Sequence, residues 1–318
     1  MPFTQLNYYR EQVLDVRMDL AKGFALNSHI KRRHFEPAFP LFFDQNGRLR
    51  QDYDVTEVGF STRLSFKEDY ILKHYERIYM GSKYPVFYLD WRYGIPGFLG
   101  GEFQYAWGEL MMDYKIQWRT FGRTQLTAGG GYIWGMVPYP SLYVFKGNQR
   151  LVTDPNGYAS AALRSLVGTR NRTSIFDPVG FNLMYFYEFV ADRYALFAIE
   201  HQFENWIFGR IPGLRWVVEK TGIREFAGFR LGWGRLREEN LAKNTPAIQD
   251  REVREARPQV QAPGPLPYME VNAGIGNILK VLRFDFVWRP SYRDPKIPLA
   301  LARYQFNWGI KVYGGVEF

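Results

Sequence analysis

The sequence predicts an all-β fold, a single antiparallel transmembrane β-barrel with about 12 visible strands. Three observations predict it. Apolar and polar residues alternate with period two over runs of about nine to twelve residues, the length at which a tilted strand crosses a bilayer. Full charges stand in mid-strand on one side of the alternation, while Trp and Tyr close the runs on the other. The connections sort into short and long ones, as they do in barrels with turns at one rim and loops at the other. A soluble sandwich also alternates, but its polar face meets bulk water and needs no aromatic residue at each strand end.

Composition narrows the class further. Aromatic residues make up 18% of the 318, there are 30 Gly, and the mean hydropathy is slightly negative. A helical membrane protein needs apolar runs of about 20 residues, and here Arg, Asp or Gly breaks every such stretch. A two-faced sheet averages out in any hydropathy window. The chain has no Cys, hence no disulfide framework, thiolate chemistry or Cys-based zinc site. The formal charge of +9 is spread along strands rather than clustered, which argues against nucleic acid as a partner. The opening MPFTQLNYYR is polar and is no secretion signal, so an exported protein would hold this chain as a mature form or a fragment.

In chain order, the first strand falls at 11–20, with Leu14, Val16, Met18 and Leu20 opposite Asp15, Arg17 and Asp19. Residues 24–56, with KRRH at 31–34, leave room for one or two more; KRRH reads either as a contact for lipid phosphates or as a solvated loop. The strand at 57–67 sets Val58, Phe60, Thr62, Leu64 and Phe66 against Gly59, Ser61, Arg63, Ser65 and Lys67. Strands follow at 84–92, 100–107, 109–120 and 124–134, the third with Leu110, Met112, Tyr114, Ile116 and Trp118 on its apolar side. After the long irregular region 135–180 come 181–190, 193–203, 225–236, 267–276, 281–290 and 303–318. Single-chain bacterial barrels use an even count, so either 12 is complete or missing upstream strands raise it to as many as 16. Residues 1–318 form one domain, without a linker or an internal repeat.

The connection 277–280 is a tight turn, whereas 135–180, 237–266 and 291–302 are long and belong outside the cell. The connection 204–224 breaks the pattern. Its ENWIFGRIPGLRWVVEKTG sets Ile207, Phe208, Ile211, Leu214, Trp216 and Val217 beside Arg210, Arg215 and Lys220. It reads either as an amphipathic segment at the inner membrane interface or as an enlarged turn packed on the barrel rim.

The last strand, RYQFNWGIKVYGGVEF, alternates Tyr304, Phe306, Trp308, Ile310, Val312, Val316 and Phe318 with polar residues. It resembles the assembly signal of bacterial outer-membrane proteins, which implies an edge that pairs with the outer-membrane assembly machinery before the sheet closes. The runs GGGYIWGMVPYPSLYVFKGNQ, FNLMYFYEFVADRYALFAIEHQF, RIPGL and PYMEVNAGIGNILKVLRFDFVWR carry a second resemblance over roughly residues 80–318. It is to the C-terminal outer-membrane barrel of the Bacteroidota family with a carboxypeptidase-regulatory-like N-terminal domain, a family of uncharacterised function. That N-terminal domain is absent here, which implies a C-terminal fragment or a short relative.

More distantly, the same region is similar to the surface-antigen barrels of the Omp85 superfamily, which insert or translocate proteins at the outer membrane. The resemblance implies that Val137–Gly147 leads into a loop, 148–190, folded back into the lumen. Ala195–Phe203 would return with Glu200 facing inward. The superfamily's Arg-Gly-aromatic tripeptide does not occur between 148 and 190.

Charges inside a barrel need partners. The candidate luminal network is Glu188, Asp192, Glu200, Arg119, Arg230, Arg283 and Arg289. Glu200 and His201 are neighbours on a strand and point to opposite faces; a hydrolase reading would pair His201 with a carboxylate of this segment, but no nucleophile stands in a motif nearby. His29, His34, His74 and His201 have no metal-ligand spacing. The triplet Gly129-Gly130-Gly131 leads into no phosphate-binding helix; strand glycines instead admit a loop at close range. The expectation is therefore a non-enzymatic barrel of the bacterial outer membrane with no cofactor and no metal. It would serve envelope biogenesis or translocation, a passive or partner-gated solute channel being the alternative and a barrel hydrolase the third reading. Expected partners are outer-membrane lipid and lipopolysaccharide, the assembly machinery and other envelope proteins, with no nucleic acid.

Overall fold

The computed structural model describes residues 7–37, 42–73, 76–147, 179–184, 188–246, 249, 260–293 and 307–314. Eleven strands form one antiparallel sheet in which each pairs with its neighbours in sequence. They are β1 (Asn7–Ala21), β2 (Phe24–Pro37), β3 (Tyr53–Ser65), β4 (Val86–Gly94), β5 (Tyr105–Trp118) and β6 (Gly122–Gly135). The second half holds β7 (Arg193–Phe203), β8 (Arg224–Arg235), β9 (Tyr268–Ile278), β10 (Leu282–Trp288) and β11 (Trp308–Gly314). Among the described residues β1 and β11 each have one neighbour, so the sheet is not closed.

Three elements differ from the sequence expectation. The KRRH run is the middle of β2, not a loop, with Lys31 and Arg33 buried on one face. Apolar alternation missed this strand because both of its faces carry polar groups. The expected strands 100–107 and 109–120 are one strand, β5. Its Gly108 looks like a break but serves contact: a Cβ there would lie 3.0 Å from the ring of Trp91 and 3.3 Å from that of Trp134. The expected strand 181–190 is not part of the sheet. Among its described residues only Val190, continuing to Ala191, is in a strand, and that pair bonds Tyr143–Val144. Aromatic density gave 181–190 the look of a strand, yet Phe181 and Phe189 are buried off the sheet's own ladder. The predicted 303–318 strand is seen as β11; 301–306 and 315–318 lie outside the described residues.

The pleat sorts the sheet into two opposed faces. Outward stand Phe60, Leu89, Leu110, Phe286 and Ile310, all exposed. Inward stand Arg63, Asp90, Arg92, Glu109, Glu270 and Arg283, all buried. This inverts the soluble pattern, in which charged residues are almost never buried unless paired. The connections after β2, β4, β6, β8 and β10 gather at one end, so the three expected long loops do share a side. At the other end the joins after β1, β5 and β9 are tight. The join after β3 carries a small hairpin, Asp69–Lys73 with Glu76–Gly81. The join after β7 carries α1 (Leu214–Thr221).

The sheet is strongly curved. Helix α2 (Glu238–Asn244) follows β8, and the hairpin Phe43–Gln45 with Arg48–Arg50 precedes β3. Lys243 Nζ nevertheless lies 3.2 Å from Asp44 Oδ2. Five strand spacings would hold β3 and β8 about 24 Å apart on a flat sheet, so the wall bends to bring the two loops together across its mouth.

Described residues between β6 and β7 pack on the concave side. Phe145, Phe181, Phe189 and Val190 are wholly or almost wholly buried there, and Tyr143 stacks on Tyr194 with ring centres 3.7 Å apart. Glycines on the inner face of β8 make the space: a Cβ on Gly232 would stand 2.8 Å from the Phe181 ring and 3.0 Å from that of Phe145. Overpacking of this kind costs about 1–3 kcal/mol. Gly232→Val should therefore lower the urea midpoint of the purified protein. Gly209→Ala, whose added Cβ has an ordinary 3.6 Å contact, should leave it within error.

Candidate functional site: an internal loop pinned to the inner wall

The period of two places Tyr268, Glu270 and Asn272 on the inner face of β9. Glu270 accepts three successive backbone amides from the inner loop. The N–H of Asn182 donates to Oε2 at 2.8 Å, and those of Leu183 and Met184 to Oε1 at 2.7 and 3.2 Å. Consecutive amides converging on one anion form a nest, in which the partial charges of the peptide groups add. The Tyr268 hydroxyl donates to the same carboxylate at 2.7 Å, and Arg230 Nη1 stands 3.9 Å away. From β11 the Tyr313 hydroxyl donates to Asn182 Oδ1 at 2.9 Å, so the last strand holds the loop as well.

A second pin lies just beyond. Arg289 donates to both oxygens of Glu188, at 3.1 and 2.5 Å, and its guanidinium sits 4.7 Å from the centre of the Tyr268 ring. Where the loop rejoins the sheet, Asp192 Oδ2 accepts from the Arg237 N–H at 2.9 Å, from Arg237 Nε at 3.0 Å and from Asn240 Nδ2 at 2.8 Å. The loop is thus held at 182–184, at 188 and at 192.

Elsewhere the inner wall carries ion pairs without the loop. Arg283 makes a two-pronged contact with Glu200, at 3.0 and 2.9 Å, and also bonds Asp285 at 2.8 and 2.7 Å. On the β2–β5 side Arg33 bonds Glu11 and Glu57, and Glu57 accepts from the Tyr105 hydroxyl at 2.6 Å. Arg92 links Asp90 to Glu109, both at 2.6 Å, and Glu109 also accepts from the Tyr194 hydroxyl.

Of the seven residues proposed for the network, Glu188 meets Arg289 and Glu200 meets Arg283. Arg230 approaches Glu270, and Asp192 meets Arg237; neither partner was foreseen. Arg119 does not join them. It is exposed on the tight turn after β5, because the strand ends at Trp118 before the next inward position. Glu57, Asp90, Arg92, Glu109, Glu270 and Asp285 were missed, although each stands at an inward position of its strand and strict parity would have flagged it. His201 faces outward, opposite to Glu200. Its Nδ1 meets Thr124 Oγ1 at 2.8 Å and its Nε2 the Phe121 carbonyl at 2.9 Å. A carboxylate–histidine pair between 200 and 201 is ruled out by that geometry. In the last strand Trp308, Ile310 and Val312 face outward and are exposed; Tyr304, Phe306, Val316 and Phe318 lie outside the described residues. No group of three His, Cys, Asp or Glu residues suited to a metal ion occurs among the described residues.

Residues 17–161 match a family described as "Family of unknown function (DUF5686) C-terminal domain". No curated protein matches. Among solved structures the chain is similar to CdiB from Acinetobacter baumannii, at 10% identity and a TM-score of 0.45, over 97% of this chain and 41% of that one. It is also similar to BamA from Haemophilus ducreyi lacking POTRA domains 1–3, at 8% identity and a TM-score of 0.48, over 97% of this chain and 54% of that one. The chain thus spans about half the length of these chains or less.

Removing one partner of a buried ion pair leaves the other charge stranded, at a cost of about 3–5 kcal/mol. Arg283→Ala, which strands Glu200 and Asp285, should lower stability by that order in urea unfolding. Arg119→Ala should change it by less than about 0.5 kcal/mol. Glu270→Ala releases three amides at once, and hydrogen exchange at residues 182–184 should accelerate while exchange in β2–β5 stays unchanged.

Proposed function

We propose that this chain is a β-barrel of the bacterial outer membrane, without enzymatic activity, whose lumen is occupied by its own residues 136–147, 179–184 and 188–192. Its role on this reading is envelope biogenesis or translocation. The observation that carries it is the clasp of Glu270 on three loop amides, backed by Glu188–Arg289. A wall built to hold a loop inside is not a wall built to leave a pore free. The outward face of exposed Leu, Ile, Phe and Trp and the inward face of paired charges support the membrane setting, because each suits the solvent it would meet there.

The resemblance to the Omp85 superfamily supports the biogenesis role. In that superfamily the loop carries the locking motif; here the wall supplies the anion and the loop supplies backbone amides, so the missing Arg-Gly-aromatic tripeptide is no obstacle to a held loop. The last strand, with Trp308, Ile310 and Val312 outward, is assigned the assembly contact, and lipid, lipopolysaccharide and other envelope proteins are the proposed partners. The hydrolase reading loses its acid–base pair, since His201 is engaged on the outer face with Thr124 and the Phe121 carbonyl.

In planar bilayers the wild-type protein should be silent. Glu270→Ala combined with Arg289→Ala should give frequent openings, because both pins of the loop are withdrawn. A large, steady conductance from the wild type would overturn this reading in favour of a solute channel.

A further inference from the structure

We infer that the join between β7 and β8 is a lipid-interface anchor. On this assignment residues 206–220 lie in the phosphate-bearing headgroup layer at the short-turn end of the barrel. The inference rests on the outer-membrane reading and adds a site to it.

The segment hangs on the outer side of the rim, not over the lumen. Glu225 stands at an outward position of β8, in line with Ala227, Phe229, Leu231 and Trp233, and it accepts the Phe208 N–H at 2.7 Å. The Trp206 ring packs 5.8 Å from Phe121 and 6.5 Å from Phe203, and Phe203 is outward on β7. Together with His201, 4.3 Å from the Phe203 ring, these rings form an aromatic cluster at the end of the apolar wall, and Trp118 donates to Thr124, which also bonds His201. That is where Trp and Tyr collect when strands meet headgroups.

Packing on the rim accounts for only part of the segment. Val218 of α1 is buried. Ile207, Ile211 and Leu214 remain about two-fifths exposed, and Trp216 is 66% exposed. A turn that ended in water would gain nothing from four large apolar side chains held out of the fold. A segment at an interface gains burial of each against acyl chains.

The charges complement that layer. Arg210 lies 4.3 Å from the centre of the Trp206 ring and Lys220 Nζ 4.9 Å from that of Trp216. A Trp with a cation over its face presents an apolar body to lipid and a positive tip to phosphate. Juxtamembrane cations of this kind are drawn to anionic headgroups.

The chain has no Cys, so single labelled positions can be read without background. Trp216→Cys, Ile211→Cys and, on the outer wall, Ile310→Cys would each carry a nitroxide and be placed in vesicles of phosphatidylcholine with or without phosphatidylglycerol. Collisions with oxygen report lipid, and collisions with a water-soluble nickel chelate report water. The inference expects oxygen to dominate at 310, and 216 and 211 to show both at headgroup depth. It also expects 216 to sit deeper when phosphatidylglycerol is present, a difference that Arg210→Ser with Lys220→Ser abolishes. A lipid-exposed 310 with 216 and 211 colliding freely with the chelate overturns the anchor alone. So does a failure of both reagents to reach 216 and 211, since the segment would then be packed against protein. Free chelate at 310 overturns the membrane reading and the anchor with it.

Discussion

The charges turned to the inside of this sheet have to be met within a few ångströms, most by an opposite charge and Asp113 by the Thr127 hydroxyl and the Gln125 amide. The pleat leaves no choice: a strand that shows Leu110 and Phe286 outward must show Glu109, Met111, Asp285 and Val287 inward. The curvature of the wall then takes those inward groups out of bulk water. Burying an uncompensated ion costs several kcal/mol, so the inner face is stable only with its charges paired or hydrogen-bonded. Arg283 between Glu200 and Asp285, and Arg92 between Asp90 and Glu109, show the solution adopted. Arg is suited to this because its planar fork serves two carboxylates at once.

The inner loop obeys the same constraint in a different form. A loop brought off the surface must satisfy its backbone amides, and Glu270 satisfies three of them while the loop shields that carboxylate in return. The inward glycines of β8 complete the fit from the apolar side, since Phe145 and Phe181 occupy the volume that side chains at 232 and 234 would fill. Polar clasp and apolar recess lie on adjoining strands, so the loop is positioned by both at once.

On the outer-membrane reading the two faces have separate tasks. The inner one holds the loop, and the outer one, from the exposed strand positions to the aromatic cluster around Trp206, addresses lipid. His201 belongs to the second set. Adjacent on the chain to Glu200, it is separated from it by the thickness of the sheet.

The alternation in the sequence by itself determined the all-β class, the antiparallel order and the side on which the long loops gather, because side-chain direction follows from parity alone. The same parity placed Glu200 and His201 on opposite faces and Arg283 inward. It left β2 unassigned, although room for it was allowed at 24–56, because Lys31 and Arg33 face in while Arg32 and His34 face out and no apolar contrast marks the faces. It divided β5 at Gly108, a residue whose reason is two Trp rings on neighbouring strands. Only the tertiary structure decided who pairs with whom: that Asp192 meets Arg237 rather than an expected partner, that Arg119 stays outside, and that Glu270 grips the loop. Those contacts and the Glu188–Arg289 pin join residues as many as 101 positions apart, and their distances depend on the curvature of the wall and the path of the loop, which no local pattern of residues encodes.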